Sequence, residues 1–145
     1  MTKPISSFFD QYRFLSNFYM APIELGDIEY PSSEHAFQAA KTKDKKIRKK
    51  IARQPTARQA KQLGRAVELR EDWEERKVNI MYRILFAKFN QHKDLREKLF
   101  ATGDAELVEG NTWGDMYWGV CGGNGENKLG KLLMLLREEL RLTHV

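Results

Sequence analysis

Two carboxylates are the side chains of this 145-residue chain whose surroundings best suit chemistry. Glu34 lies in the stretch YPSSEHAFQAAK, residues 30–41, and Asp115 lies in a glycine-flanked loop between two tryptophans. When a carboxylate pair drives hydrolysis, one group activates water or acts as the nucleophile. The other stabilises developing positive charge or handles the leaving-group proton. Cleavage of a ribosyl N-glycosidic bond makes this demand, because its transition state resembles an oxocarbenium ion.

Glu34 can also be explained without any chemistry. The sequence Pro31-Ser32-Ser33 predicts a helix start, and an acid in the first turn complements the helix dipole. The same helix would place Gln38 and Lys41 on the face of Glu34, at i, i+4 and i+7 spacing, as an acid, an amide and a base. This stripe is typical of one wall of a pocket and equally of an ordinary amphipathic helix, so both interpretations stay open.

Aromatic residues mark two further places where a ligand could bind. Trp73 begins the longest predicted helix and is either a core anchor or a stacking platform for a flat base. In residues 113–119, two tryptophans and a tyrosine surround Asp115, and loops that expose large aromatics favour binding. The following GGNGEN, residues 122–127, has neither a GxGxxG order nor a Walker lysine. Its backbone N–H groups would still suit a phosphate ahead of the last helix.

The balance of charge favours anionic partners, because the formal net charge is +5 and the isoelectric point is about 9.3. The densest basic stretch, KTKDKKIRKK at residues 41–50, is either a solvated helix face or an edge that contacts phosphates, including those of a polynucleotide. No apolar run approaches the ~20 residues that span a bilayer. Residues 1–14 lack the apolar segment of a secretory signal. We therefore expect a cytoplasmic protein with one domain over residues 1–145.

Neither a metal site nor a cofactor is expected from the residue types. His35, His92 and His144 are far apart in the sequence, without the spacing of a zinc site. The single cysteine, Cys121, excludes a disulfide within the chain. Cys121 is either a small filler of a glycine-rich loop or a nucleophile, and the first interpretation is favoured.

The elements that must position these residues are mainly helices. Residues 23–30 alternate apolar and polar on both sides of Gly26-Asp27, which predicts a hairpin. Helices are predicted over residues 31–43, 45–52, 55–64, 72–90, 92–100 and 128–142. Residues 8–19 are predicted to form a loop with short extended pieces, and weak strands are predicted at residues 106–109 and 117–120. The fold class is therefore α+β, predominantly helical, with a small β element.

Several segments together resemble the YbiA-like, or NADAR, family over nearly the whole chain. They are FLSNFYMAPI (residues 14–23), YPSSEHAFQAAK (30–41), LREDWEERKVNIMYRILFAKF (69–89), LVEGNTWGDMYWG (107–119) and NKLGKLLMLLRE (127–138). The combination of SEHxFQAxK, DxYWG and NxLGxLLMxLRE is specific, and the order of the motifs is kept. The resemblance implies a compact, mainly helical α+β domain with a YbiA-like fold and no metal or cofactor.

The resemblance also implies an N-glycosidase. Family members resemble enzymes that cleave the N-glycosidic bond of early riboflavin-pathway intermediates, 5-phosphoribosyl-aminopyrimidines, and release ribose 5-phosphate. Relatives remove ADP-ribose from guanine bases, and the family was also proposed to act in NAD and ADP-ribose metabolism. The implied partner is thus a small phosphorylated N-riboside or an ADP-ribosyl substrate, including ADP-ribosylated nucleic acid.

The functional positions of the family fall here on three residues. Glu34 and Asp115 are expected to be the catalytic carboxylates, and Trp73 is expected to shape the pocket or stack on the base. The substrate contacts expected from motif neighbourhood are Ser16, Asn17, Gln38, Lys41, Tyr117, Trp118 and Asn127. Some relatives follow YWG with an acidic residue, whereas Val120 stands here, which leaves the choice of substrate open.

Two other classes of function compete with an enzyme. One is a module that binds NAD or ADP-ribose without cleaving it. Two carboxylates argue against that class, because a binder of an anionic ligand gains nothing from them. The other class is a basic helical nucleic-acid binder, which no recognised fingerprint supports.

Overall fold

The computed structural model describes residues 2–144 and divides into two compact units. The terminal unit contains the chain up to Ser16 and from Lys93 onward, and the central unit contains Asn17–His92. Helices dominate and the strands are short, so the predicted α+β class with dominant helices is confirmed. The prediction of one domain over residues 1–145 stays a prediction.

The central unit begins with the predicted hairpin. Strand β1 is Met20–Leu25 and strand β2 is Ile28–Ser32, and they pair antiparallel with Ile23 opposite Tyr30. Gly26 has φ +63°, a conformation that an L side chain rarely adopts, so this glycine permits the two-residue turn. Ile23 and Tyr30 both face the core, and the hairpin prediction is confirmed.

Four helices complete the central unit. They are α1 (Ser33–Ala39), α2 (Lys45–Ala52), α3 (Ala57–Arg65) and α4 (Trp73–Gln91). Helix α1 lies at the centre and packs against α2, α3, α4 and both strands. The fully or almost fully buried apolar side chains of this unit include Ile23, Ala39, Ile51, Ala60, Met81, Leu85 and Phe89. A helix that contacts every other element of its unit holds its side chains rigidly, which a site requires.

Helix α1 ends at Ala39, and the prediction that it continues to about Lys43 is wrong. The next helix explains the early end. The side chain of Asp44 accepts hydrogen bonds from the N–H groups of Lys46 and Ile47, which sets an extended backbone at Asp44 and starts α2. The carbonyl of Lys41 accepts the N–H of Arg70 at 2.8 Å, outside any helix.

The terminal unit starts with a short 3₁₀ helix at Asp10–Leu15. This replaces the loop with extended pieces that was predicted for residues 8–19. The turn buries Phe14 and Leu15 against its unit while Asp10 stays exposed. Phe14 and Leu15 are adjacent in the sequence, so they show neither the period of a helix nor that of a strand. The local structure of this six-residue segment therefore depends on packing, which the sequence pattern does not show.

Helices α5 (Lys93–Ala101) and α6 (Lys128–Thr143) supply six buried leucines to the core of the terminal unit. The buried leucines of this unit are Leu15, Leu95, Leu99, Leu107, Leu129, Leu133, Leu136 and Leu140. Burying one such side chain contributes roughly 1.5–3 kcal/mol relative to leaving it exposed. No helix within residues 2–144 is long and apolar enough to cross a membrane.

The strands of the terminal unit are shorter than predicted. Residues 106–109 form only one bridge, between Leu107 and Ile5, because the amide of Asn127 takes the carbonyl of Leu107 and the N–H of Glu109. Strand β3 (Gly110–Asn111) pairs in parallel with β4 (Val120–Cys121). The predicted strand at residues 117–120 fails because the N–H groups of residues 117 and 118 bind a side chain instead of a neighbouring strand.

Candidate active site

The backbone around α1 fixes Glu34 in its first turn. The hydroxyl of Ser32 accepts the N–H of His35 at 3.2 Å, which is a helix N-cap. The carbonyl of Asn17 accepts the N–H of Glu34 at 3.0 Å and the hydroxyl of Ser33 at 3.3 Å. The N–H groups of Glu34 and His35 are thereby satisfied, and Glu34 is held with only 8% of its surface exposed.

His35 locks the same turn from the other side. Its Nδ1 lies 2.7 Å from the Ser32 hydroxyl and its Nε2 lies 2.8 Å from the carbonyl of Gln54. A carbonyl only accepts, so Nε2 carries the proton and Nδ1 accepts from Ser32. Burial lowers the pKa of His35, against a smaller opposing effect of the Gln54 carbonyl. A fully buried neutral imidazole therefore braces the helix that carries Glu34.

The predicted polar stripe is present on α1 for Glu34 and Gln38, whereas Lys41 lies beyond the end of the helix. The Nε2 of Gln38 donates to a carboxylate oxygen of Glu34 at 2.6 Å, within the buried part of the unit. Burial lowers the pKa of Lys41, while the charge of Glu34 acts in the opposite direction and raises it. An amide donor and a nearby ammonium group both stabilise an ionised carboxylate.

Gln38 reaches Glu34 because Gly64 of α3 has no side chain. A Cβ at Gly64 would lie 2.8 Å from both Cβ and Cδ of Gln38 and closer still to its Oε1. Gly64 does not have a positive φ, so its conformation does not require glycine. Glycine within a helix costs about 1 kcal/mol relative to alanine, and here the close approach of Gln38 accounts for it.

Two buried amide oxygens beside the carboxylate have no hydrogen-bond partner among the described residues. They are Oε1 of Gln38 and Oδ1 of Asn17. The Nδ2 of Asn17 contacts the sulfur of Met81 at 3.4 Å, so its other end is weakly engaged as well. Unsatisfied buried polar atoms are rare and costly, and they are typical of sites that a ligand completes.

Trp73 lies on the apolar side of this stripe. It is buried, and its ring centroid is 5.1 Å from that of Phe37 at a tilt of 52°. The N–H of Trp73 donates to the carbonyl of Arg70, which in turn is tied to Lys41 through the backbone. The structure thus brings Glu34, Gln38, Lys41 and Trp73 together in the central unit. Because Trp73 is buried, it is better suited to form a wall of the pocket than an exposed platform on which a base stacks.

Asp115 is held by a separate turn in the terminal unit. One of its carboxylate oxygens accepts the N–H groups of Tyr117 at 3.1 Å and Trp118 at 2.9 Å. Its backbone exchanges two hydrogen bonds with the side-chain amide of Asn111, at 3.0 and 2.9 Å. The carboxylate is therefore oriented by backbone donors, as an Asx turn orients it, and remains half-buried.

The aromatic rings around Asp115 have different exposures. Tyr117 and Trp118 are half-buried and meet edge to face at 4.9 Å, and the ammonium group of Lys128 lies 5.9 Å from the ring of Tyr117. Trp113 is 57% exposed and touches only the edge of Phe9 at 6.4 Å among its ring contacts in the described residues. Tyr117 and Trp118 are thus positioned beside Asp115, as the motif predicts.

Two other predicted contacts have visible structural tasks. The side-chain amide of Asn127 is buried. Its nitrogen donates to the carbonyl of Leu107, and its oxygen accepts the N–H of Glu109. Asn127 also precedes α6 as its N-cap, with φ +51°. Ser16 follows the 3₁₀ helix and donates its N–H to the carbonyl of Arg13. A role of Asn127 or Ser16 in binding substrate stays a prediction.

Glu109 was not predicted from the sequence. Its carboxylate accepts the amide of Asn111 at 2.9 Å, the same amide that orients Asp115, and it lies where a side chain at Gly119 would be. A third carboxylate therefore lies one residue away from Asp115 in the hydrogen-bond network. The sequence signal was an acid four residues before WGD, which alone indicates nothing.

Lys88 was also missed. It is completely buried in α4, its pKa is lowered by burial to about 7, and its ammonium group faces the rings of Tyr19 and Phe89 at 5.7 and 5.3 Å. The available signal was a lysine at i+3 and i+4 from Leu85 and Ile84, on the apolar face of the helix. A charged residue on an apolar face indicates burial at a special site.

The side chains that commonly bind metal ions are dispersed in the part of the chain that the structure describes. Over residues 2–144, no three His, Cys, Asp or Glu side chains are grouped closely enough to hold a metal ion. Both ring nitrogens of His35 are already used, and Cys121 is a half-exposed free thiol.

The sequence and the fold both resemble those of known proteins. The NADAR domain model matches residues 6–141. The chain belongs to the NADAR family. The N-glycosidase YbiA of Escherichia coli (strain K12) is 46% identical over 136 residues, which cover 92% of this chain and 84% of that protein. The solution NMR structure of E. coli YbiA superposes with a TM-score of 0.88 at 43% identity and covers 99% of this NADAR chain and 88% of the other.

A second relative extends the comparison. A riboflavin biosynthesis protein of Vibrio vulnificus (strain YJ016) is 41% identical over 135 residues, which cover 91% of this NADAR chain and 36% of that protein. The prediction of the family from sequence motifs is thereby confirmed.

Proposed function

We propose that this NADAR-family N-glycosidase hydrolyses the N-glycosidic bond of a small phosphorylated ribosyl conjugate, of the 5-phosphoribosyl-aminopyrimidine type. The general activity, hydrolysis of N-glycosyl bonds, agrees with the names of the curated relatives of this chain. A relative named for riboflavin biosynthesis supports the pyrimidine intermediate as the substrate.

The observation that carries the proposal is the environment of Glu34. A solvated acid that only complements a helix dipole needs no buried partner, yet Glu34 is buried and receives the amide of Gln38 at 2.6 Å. Gly64 leaves room for that amide, and Lys41 acts on the carboxylate by its charge. Three residues, on α1, on α3 and in the segment after α1, are thus arranged around one carboxylate.

The chemistry requires the C1′–N bond to break with its electron pair leaving on the base. Positive charge then develops on the ribose, and water adds at C1′ and loses a proton. The leaving nitrogen takes up one proton, so the overall step moves one proton from water to the base. An ionised Glu34 is suited to stabilise the ribosyl cation or to take the proton of that water, and Asp115 is proposed for the other task. Trp73 forms an apolar wall that excludes water from the reacting bond.

Lys41 is proposed to bind the phosphate of the substrate. It is half-buried, and burial lowers its pKa, so an anion bound beside it would favour the charged form. The unpartnered oxygens of Gln38 and Asn17 are proposed to accept hydroxyl or amine donors of the substrate. Tyr117 and Trp118 are proposed to contact the base. Ser16 and Asn127 are proposed as further substrate contacts, because they lie in the family motifs.

ADP-ribose attached to guanine is the second candidate substrate. Helix α2 exposes lysines 45, 46, 49 and 50, which suit the phosphates of a nucleic acid that carries the modified base. The chemistry of bond cleavage is the same for both candidates.

The test is a turnover assay of the parent and of Glu34→Gln and Asp115→Asn, with products identified by mass spectrometry. The substrates are a 5-phosphoribosyl-aminopyrimidine, NAD and ADP-ribosylated guanine in DNA. Release of a free aminopyrimidine and ribose 5-phosphate, lost in both variants, is expected. Release of guanine alone would select the second candidate. Tight binding of ADP-ribose with no turnover of any substrate by the parent would indicate a non-catalytic binding module.

A further inference from the structure

A basic cavity of about 510 Å³ lies within the central unit. Six cationic side chains line it: Lys43, Lys45, Arg48, Arg70, Arg76 and Arg83. Asp27 also lines it, and Lys45 is bound to that carboxylate. Cations therefore far outnumber acids at its surface, and the proposed reaction at Glu34 uses none of these six side chains.

The cavity lies on the opposite side of α1 from Glu34. Ala36 and Ala40 contribute to its wall, and they are two and six residues beyond Glu34. At 3.6 residues per turn, these positions point roughly 200° and 240° away from the carboxylate. A ligand in the cavity would thus occupy a second site.

Three of the six cations make no ion pair or side-chain hydrogen bond within residues 2–144: Lys43, Arg76 and Arg83. The guanidinium of Arg70 is held by both oxygens of Asp72, and Nε of Arg48 donates to the carbonyl of Thr42 at 2.8 Å. Within residues 2–144, the guanidinium groups of Arg76 and Arg83 make no ion pair or hydrogen bond. They lie seven residues apart on the same face of α4, roughly 10 Å along the helix axis.

The floor of the cavity is apolar. Its apolar lining residues include Tyr30, Ala36, Ala40, Ile80 and Ile84. Ile80 lies between Arg76 and Arg83 and is half-buried. A volume of this size, an apolar floor and a few fixed charges are the features of a small-molecule site.

We propose that this cavity binds a nucleoside diphosphate, with its phosphates on Arg76 and Arg83 and its ring on the aliphatic floor. Planar guanidinium groups suit phosphate oxygens, which they bind in pairs. A single-stranded polynucleotide fits less well, because its bases need exposed aromatic rings on which to stack. Among the described lining residues Tyr30 is the one aromatic, and it is buried.

The test is a calorimetric titration of the full chain with ADP, inorganic pyrophosphate and a 20-nucleotide poly-dT strand. The variant of the site is Arg76→Ala/Arg83→Ala. The matched control is Arg53→Ala/Arg58→Ala, which removes the same charge from exposed positions just after α2 and in α3, outside the cavity. Thermal melting confirms that each variant folds.

Saturable 1:1 binding of ADP is expected, at least tenfold weaker in the cavity variant and changed less than twofold in the control. Pyrophosphate is expected to bind at least fivefold more weakly than ADP, because it leaves the floor empty. Equal weakening by both variants would overturn the proposal, as would ADP affinity that the cavity variant leaves unchanged. Poly-dT that binds more tightly than ADP and is lost in the cavity variant would replace the nucleotide with a polynucleotide.

Discussion

Replacing Gly64 with alanine tests how closely the packing of two helices controls the candidate site. The new Cβ would lie 2.8 Å from the Cβ and Cδ of Gln38, so rotation of the amide alone does not relieve the clash. The whole side chain of Gln38 must move, and its hydrogen bond to Glu34 is lost. A hydrogen bond to a charged group contributes about 1.5–3 kcal/mol. If the transition state loses all of this stabilisation, kcat falls roughly 10- to 150-fold.

The stability of Gly64→Ala is also expected to fall. Alanine gains about 1 kcal/mol in a helix interior, overpacking costs roughly 1–3 kcal/mol, and loss of the hydrogen bond costs about 1.5–3 kcal/mol. The free energy of unfolding should therefore fall by roughly 1.5–5 kcal/mol in a urea titration. The double variant Gly64→Ala/Gln38→Ala removes the clash, so it should recover stability without recovering turnover. Turnover of Gly64→Ala within twofold of the parent, in a folded protein, would refute this account of Gln38 and Gly64.

Two pH-dependent predictions follow from buried bases of the central unit. The pKa of Lys88 is lowered to about 7 from its ordinary 10.5, so the unfolded state binds more protons between these values and stability rises with pH there. In urea titrations, the free energy of unfolding of Lys88→Met should rise less with pH than that of the parent. The exposed control Lys50→Met should show the same rise as the parent. An unchanged rise in Lys88→Met would contradict the burial of Lys88. The pKa of His35 is lowered, so the free energy of unfolding should fall as pH drops below 6.5. This fall should be weaker in His35→Gln, and an equal fall in both proteins would show that His35 protonates freely.

The helices were predictable because their caps are local. Asp44 and Thr56 lie directly before α2 and α3 and accept the first free N–H groups, so both starts can be read from a few adjacent residues. The hairpin was predictable for the same reason, since Gly26-Asp27 alone sets the turn.

The candidate site was only partly predictable, because its decisive contacts join distant residues. The pairing of Glu34 with Gln38 follows from helical spacing, whereas Lys41 lies beyond the end of α1. The room that Gly64 leaves for Gln38 joins positions 26 residues apart in the sequence, and no local pattern encodes such a contact. The burial of Lys88 depends likewise on what packs against α4, as does the use of both ends of the Asn127 amide by a segment 18–20 residues earlier.

The central claim is that Glu34 is placed for chemistry and does not merely charge a helix. The most direct measurement is the single-turnover rate of Glu34→Gln on the identified substrate, with its Kd and melting temperature measured alongside. The account predicts a rate at least 10²-fold lower, as for loss of a general base, with Kd within about threefold and a folded protein. A rate within tenfold of the parent would contradict it. So would a loss confined to Kd, because the carboxylate would then serve only binding.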